Sequence, residues 1–177
     1  MKLAIVQRDG VVCQGTPQRR GSRSDKLVAI PGSIAALALL SQAGWRVVLV
    51  NREARFTHNV ERIHALHEQL RRRVEEAGGE IEAYCSIGGR ESMAKLLAKV
   101  VQRYRTDFNG VPVFGDNHHI LRGAVRLGAR PILVRTGQGA RVLGDDLGDL
   151  EGVTIYGDLA GAVDAWLIEH PGAASLG

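Results

Sequence analysis

Short aliphatic runs that alternate with stretches of helical spacing leave this chain few ways to fold. The runs are LAIV at 3–6, WRVVLV at 45–50, IEAYC at 81–85, VPVF at 111–114, PILV at 131–134 and VTIY at 153–156. Between them apolar residues recur every three or four positions. Ile34, Leu37 and Leu40 follow Pro31-Gly32, and Val60, Ile63, Leu66, Leu70, Val74 and Ala77 lead to Gly78-Gly79. Further helical segments are expected at about 90–103, up to Gly128, and at about 159–169. Runs so short and apolar read as strands buried on both faces, and strands joined through helices lie parallel. The pattern predicts an α/β fold, a Rossmann-like three-layer α/β/α sandwich around a mainly parallel sheet. With no repeat and no linker composition, 1–170 is expected to be a single domain and 171–177, PGAASLG, a frayed tail. Ser33 is the expected N-cap of the first helix, and Thr57 or Asn59 of the second.

Aromatic residues make up only 5% of the chain, so aliphatic side chains and close Ala/Gly contacts must fill the interior. A formal charge of +4, from 23 basic and 19 acidic residues, is too small to point to nucleic acid by itself. The segment CQGTPQRRGSRSDK at 13–26 reads as an exposed loop. Its Arg19, Arg20, Arg23 and Lys26 come without an aromatic for base stacking, so a nucleic-acid partner is not expected. Arg71-Arg72-Arg73 closes a helix and reads as a solvated face that complements the helix dipole. Cys13 and Cys85 form no Cys-x-x-Cys pair, which suits two reduced thiols in a cytoplasmic protein. The apolar run after Lys2 is shorter than a signal-peptide core, and no run has the length of a bilayer span, so no membrane partner is expected.

In a sheet of this kind ligands bind in the crevice beyond the carboxyl ends of the strands. Three polar strand ends therefore carry the interest: Gln7–Gly10, Asn51–Glu53 and Gly115–Asn117. Each also has a purely structural account. Asp9 can hydrogen-bond the backbone of its own turn, Gly10 can serve turn geometry, and Asp116 can cap the helix that follows. Arg52 and Arg90 can be solvated or paired with Glu53 and Glu91. His118-His119 are neighbours on a helix and do not share a face, so they are not expected to bind metal.

The fragments RDGVV at 8–12, IPGSIAAL at 30–37, GWRVVLV at 44–50, GVPVFGD at 110–116 and ILVRTGQG at 132–139 occur in a telling order. Their order and spacing resemble the haloacid dehalogenase (HAD) superfamily of phosphatases. Within it the likeness is to the bacterial D-glycero-D-manno-heptose 1,7-bisphosphate 7-phosphatases, from Met1 to about Glu169. The resemblance implies a HAD-like fold and a site assembled from four motifs. The first motif supplies two aspartates, one attacking phosphorus and the other acting as acid/base. Its nucleophile position is Gln7 here and its acid/base position is Asp9. The Thr-Asn pair that binds the transferring phosphoryl group falls on Asn51-Arg52. An Arg-Lys pair, placed by counting back from GVP at 110–112, falls on Arg90-Glu91, setting a carboxylate where charge neutralisation is needed. The acidic metal ligands fall on Asp116 and Ile120. The resemblance thus leaves Asp116, the Asp9 backbone carbonyl and the Gln7 amide oxygen, at most a weak Mg²⁺ position. Of the branch's zinc loop of three Cys and one His only Cys85 remains, because Ser86-Ile87-Gly88-Gly89 replaces the rest, and no zinc is expected.

Losses at several separate positions favour a pseudo-phosphatase that keeps the fold and an anion-attracting crevice, with no cofactor expected. Asn51, Arg52 and Arg90, with Arg55, are then the phosphate-binding candidates, and the partner is a phosphorylated small molecule or a protein. The alternative is an active Mg²⁺-dependent sugar-phosphate phosphatase with a non-standard nucleophile. Asp9 is the only acid on the first strand's turn.

Overall fold

The computed structural model describes residues 1–15, 26–53, 60–88, 90–143, 150 and 152–171. In chain order the elements are β1 (Lys2–Gln7), α1 (Ser33–Gln42), β2 (Trp45–Arg52), α2 (Val60–Glu76), β3 (Ala83–Ile87) and α3 (Met93–Arg103). There follow β4 (Pro112–Gly115), α4 (His118–Arg126), β5 (Arg130–Val134), α5 (Gly139–Val142), β6 (Thr154–Tyr156) and α6 (Leu159–Glu169). The strands form one six-stranded sheet in the order β3-β2-β1-β4-β5-β6, every pairing parallel. The expected α/β architecture is what the chain adopts.

Side-chain alternation divides the core into two layers. Ala4 and Val6, with Val47, Leu49, Phe114, Ile132 and Val134, face α1, α2 and α6. Leu3 and Ile5, with Val48, Val50, Val113 and Leu133, face α3, α4 and α5. Trp45 meets Trp166 edge to face at 5.5 Å between ring centres. The strand order reverses between β1 and β4, where Ile5 pairs with Val113 and Val6 with Phe114. That switch point sets Gln7, the last residue of β1, beside Gly115, the last of β4, and opens the crevice between them.

Several local expectations are corrected. Ser33 is the first residue of α1 rather than its cap, after Gly32 at φ 79°. Its buried hydroxyl instead donates to the Val12 carbonyl at 2.6 Å and ties α1 to the loop after β1. Of the stripe foreseen on α2, only Leu70 and Val74 are buried, and Val60 is 76% exposed. A 17-residue helix outruns the 5-residue edge strand it packs beside, so its early turns have no sheet to cover. Strand β3 begins two residues later than its apolar run, because pairing with β2 from Val48 opposite Ala83 sets its start. The glycine-rich stretch after β5 contains α5, where Gly139 lies so close to the Val134 carbonyl that any Cβ would overlap it. Arg71 is ion-paired with Glu68 at 2.8 Å and Glu75 at 2.6 Å. The loop arginines Arg19, Arg20 and Arg23, together with Thr57, Asn59, Arg55, Gly89 and 172–177, lie outside the described residues. Among the described residues no helix is long and apolar enough to cross a membrane.

Candidate functional site

Gln7, Asp9, Asn51, Arg52 and Asp116 line one crevice of about 500 Å³ at the carboxyl edge of the sheet, with Asn117, Gln138, His119 and Met93. The sequence placed the first five there. Arg90 and Glu91 lie instead in an adjoining groove. The Glu91 carboxylate is 3.5 Å from Lys99 Nζ, so the opposition to substrate charge expected from it is directed elsewhere.

The Gln7 amide is held from four directions. Its Oε1 accepts from the Asp116 backbone N–H at 3.1 Å and from Asn117 Nδ2 at 3.2 Å. Its Nε2 donates to the Asp9 carbonyl at 2.7 Å and to Asp116 Oδ1 at 2.6 Å. A backbone N–H can only donate and a carbonyl only accept, so the amide has one possible orientation. The amide oxygen therefore points away from the position in which it was expected to face Mg²⁺. The NH₂ group lies there instead, between the two oxygens that a cation would need.

Asp116 does not cap α4. Asn117 does, accepting from the His119 and Ile120 N–H groups at 3.0 and 3.3 Å. The Asp116 side chain turns into the crevice, where Oδ1 also accepts from Asn117 Nδ2 and Oδ2 from the Gln138 N–H, both at 2.9 Å. Gly10 and Gly137, at φ 85° and 57°, close over Asp116, and a Cβ on either would overlap Oδ2. Gly10 thus makes room for a carboxylate as well as making a turn. Ile120 is fully buried beneath Gly115 and does not reach the crevice wall.

Within the turn that follows it, the Asp9 carboxylate meets the Cys13 thiol at 3.8 Å rather than a backbone N–H. That carboxylate accepts from Arg8 Nε at 2.9 Å and from Asn51 Nδ2 at 3.2 Å, while Asn51 Oδ1 accepts from the Asp9 N–H at 3.2 Å. Arg8, only 2% exposed, also reaches Glu53 at 3.0 Å and His67 Nε2 at 2.9 Å. Burial opposes the Arg8 charge, but Asp9 and Glu53 together outweigh it and raise its pKa. Because a guanidinium only donates, His67 Nε2 is the acceptor and its proton sits on Nδ1. Burial, then the Arg8 charge, lowers the His67 pKa to about 4. Burial, reinforced by Asp9, pushes the nearby Cys13 thiol up to about 12, so it is no nucleophile. Sequence reading missed the roles of Arg8 and His67, and it considered Glu53 as a partner of Arg52 where the structure pairs it with Arg8. The available signal was a charged residue one step past an apolar strand, on the face opposite Gln7 and hence turned toward helices.

Cys85 is a half-buried free thiol on β3 whose pKa is raised chiefly by burial. Among the described residues no three of His, Cys, Asp and Glu cluster in a way that would hold a metal ion.

The whole chain can be set against known proteins. No family model matches it. It is 34% identical to the D-glycero-β-D-manno-heptose-1,7-bisphosphate 7-phosphatase of Bordetella bronchiseptica, over 96% of this chain and 99% of that one. The enzyme of the same name from Pseudomonas aeruginosa is 35% identical, over 93% and 97%. This chain belongs to that HAD-superfamily phosphatase family. A crystal structure of the D,D-heptose 1,7-bisphosphate phosphatase from B. bronchiseptica, complexed with magnesium and phosphate, superposes with a TM-score of 0.87 at 32% identity, covering 96% and 99% of the two chains. The 3-deoxy-D-manno-octulosonate 8-phosphate phosphatase of Moraxella catarrhalis, at 16% identity and a TM-score of 0.62, shares the fold. Within the heptose-bisphosphate phosphatase family, the residues of this chain do not fit a magnesium ion at the β1–β4 switch point. Mg²⁺ demands oxygen ligands near 2.0–2.1 Å in octahedral array. Here the Asp116 and Asp9 oxygens converge on amide hydrogens.

Proposed function

We propose that this family member is catalytically silent toward phosphomonoesters and retains the crevice as a binding site for a phosphorylated small molecule. The Gln7 amide carries the reading. A neutral amide nitrogen has no lone pair fit to attack phosphorus. By bridging Asp116 Oδ1 and the Asp9 carbonyl, it also takes up the acceptors that would recruit a cation. The family relationship supports a sugar phosphate as the ligand class, and the Arg52 side chain lines the crevice where it would lie, while Asn51 Nδ2 is engaged by Asp9 and Glu53.

The alternative, an active Mg²⁺-dependent phosphatase, draws on Asp9, which is 26% exposed and faces the same crevice. Against it stands the tether of that carboxylate to Arg8 and Asn51. Turnover of D-glycero-β-D-manno-heptose 1,7-bisphosphate by the unmodified protein with Mg²⁺ separates the two, with Asp9→Asn as control. Release of phosphate at background level is expected. Rates in the ordinary enzyme range of roughly 1–10³ s⁻¹, abolished in Asp9→Asn, would establish the alternative.

A further inference from the structure

Asp9 and Asp116 line the crevice; the buried Arg8 guanidinium beneath it is shared between Asp9 and Glu53, while Asp116 is held by the neutral Gln7 and Asn117 amides, so the crevice floor is net anionic. Without a cation that floor repels a phosphate. The opposite charge collects next door. Arg52, Arg90, Arg122 and Arg126 line a groove of about 340 Å³ at the start of α3, and Arg52, Met93 and His119 are shared with the crevice. Among the described residues Glu91 is the only carboxylate on the groove's wall, and it pairs with Lys99. Arg52 donates to the Glu91 carbonyl at 2.7 Å, which holds its guanidinium at the boundary of the two cavities.

The helices reinforce this sign. Arg122 and Arg126 are four residues apart on α4, hence on one face, and like charges at that spacing disfavour the helix slightly. An anion between them turns that repulsion into attraction. Ser92 caps α3, its Oγ accepting from the Lys95 N–H at 3.3 Å, and the positive end of that helix dipole lies at the groove. Gly123 permits α4 to approach the Ala94 backbone, where a Cβ would come within 3.3 Å, bringing the α4 arginines to that helix start.

We propose that this groove, rather than the crevice floor, holds the phosphoryl dianion of the ligand, and does so without metal. The remainder of the molecule extends past Arg52 and His119 into the crevice. The proposal takes only the ligand class from the reading above. It does not depend on whether the protein turns over substrate.

Binding of inorganic phosphate and of glucose 6-phosphate, measured by calorimetry at low salt with EDTA present, provides the test. Both are expected to bind, with the sugar phosphate tighter. Arg122→Gln/Arg126→Gln should weaken both at least about tenfold, the effect of losing a charge-assisted hydrogen bond. Arg122→Lys/Arg126→Lys should keep most of the affinity. Both positions are exposed, so an unchanged unfolding temperature confirms that the variants fold. Asp116→Asn gives the contrasting arm: an anion on the crevice floor would bind more tightly once that carboxylate is neutralised, whereas one in the groove would change little. No binding with EDTA, or tighter binding in Asp116→Asn with full affinity in the Arg→Gln pair, overturns the proposal. Turnover in the separate phosphatase assay would overturn only the silent reading.

Discussion

A side-chain amide has two N–H donors and one oxygen with two lone pairs, and Gln7 commits all of them. Gln7→Asp removes both donors and sets a second carboxylate against Asp116 Oδ1. In chelator this variant should lose about 1–3 kcal/mol, the cost of leaving buried polar groups unpaired. Added Mg²⁺ should return stability, by about 2.7 kcal/mol at a hundredfold excess over its dissociation constant. The parent should show no such shift. Thermal unfolding with and without Mg²⁺ reads both, and an equal shift in the parent would end the view of Gln7 as a stand-in for the cation. Arg8 is the second residue on which the site depends. Arg8→Met strands Asp9 and Glu53 with His67 beneath the crevice, and breaking a buried pair from one side costs about 3–5 kcal/mol. The urea midpoint of that variant should fall accordingly.

Among the elements, the start of α4 determines what Asp116 can do. Because Asn117 satisfies the helix N–H groups, Asp116 is released to the crevice. Asn117→Ala removes the cap and one donor each to Gln7 and Asp116, so it should cost more than the roughly 1 kcal/mol of a simple cap loss. The same helix limits any attempt to rebuild a metal site. Ile120 packs in the core between α4 and β4, so Ile120→Asp buries an unpaired carboxylate and should unfold the protein more readily than it binds metal. Sequence reading found this helix and its end at Gly128 but gave the cap to the wrong member of Asp116-Asn117. Both residues are good caps, and the choice is made by Gln7, more than a hundred residues away. The late start of β3 has a similar origin: its apolar residues identify a strand, while pairing with β2 decides where it begins.

At the scale of the molecule, the alternation of strands and helices was legible because each buried face repeats locally, every second residue in a strand and every third or fourth in a helix. The crevice followed from that order, since strand ends in a parallel sheet share one edge. The wiring beneath it was not legible, because Arg8, Glu53 and His67 meet only after β1, β2 and α2 have packed. That contact has a consequence for the stability of the whole chain. His67 stacks on Tyr84 at 4.1 Å and accepts from Arg8, so the folded protein holds it neutral, with its pKa lowered from 6.5 to about 4. In the unfolded chain it titrates near 6.5. Between pH 6.5 and 4 the unfolded state binds the proton that the folded state refuses, so stability rises with pH in this window. The His67 contribution is complete above pH 6.5 and is lost as the pH falls toward 4. His67→Gln keeps an acceptor for Arg8 but cannot be protonated. Its urea-unfolding free energy should therefore depend less steeply on pH across that window while staying close to the parent's at pH 8. Identical slopes in parent and variant would show that His67 is not held neutral by Arg8.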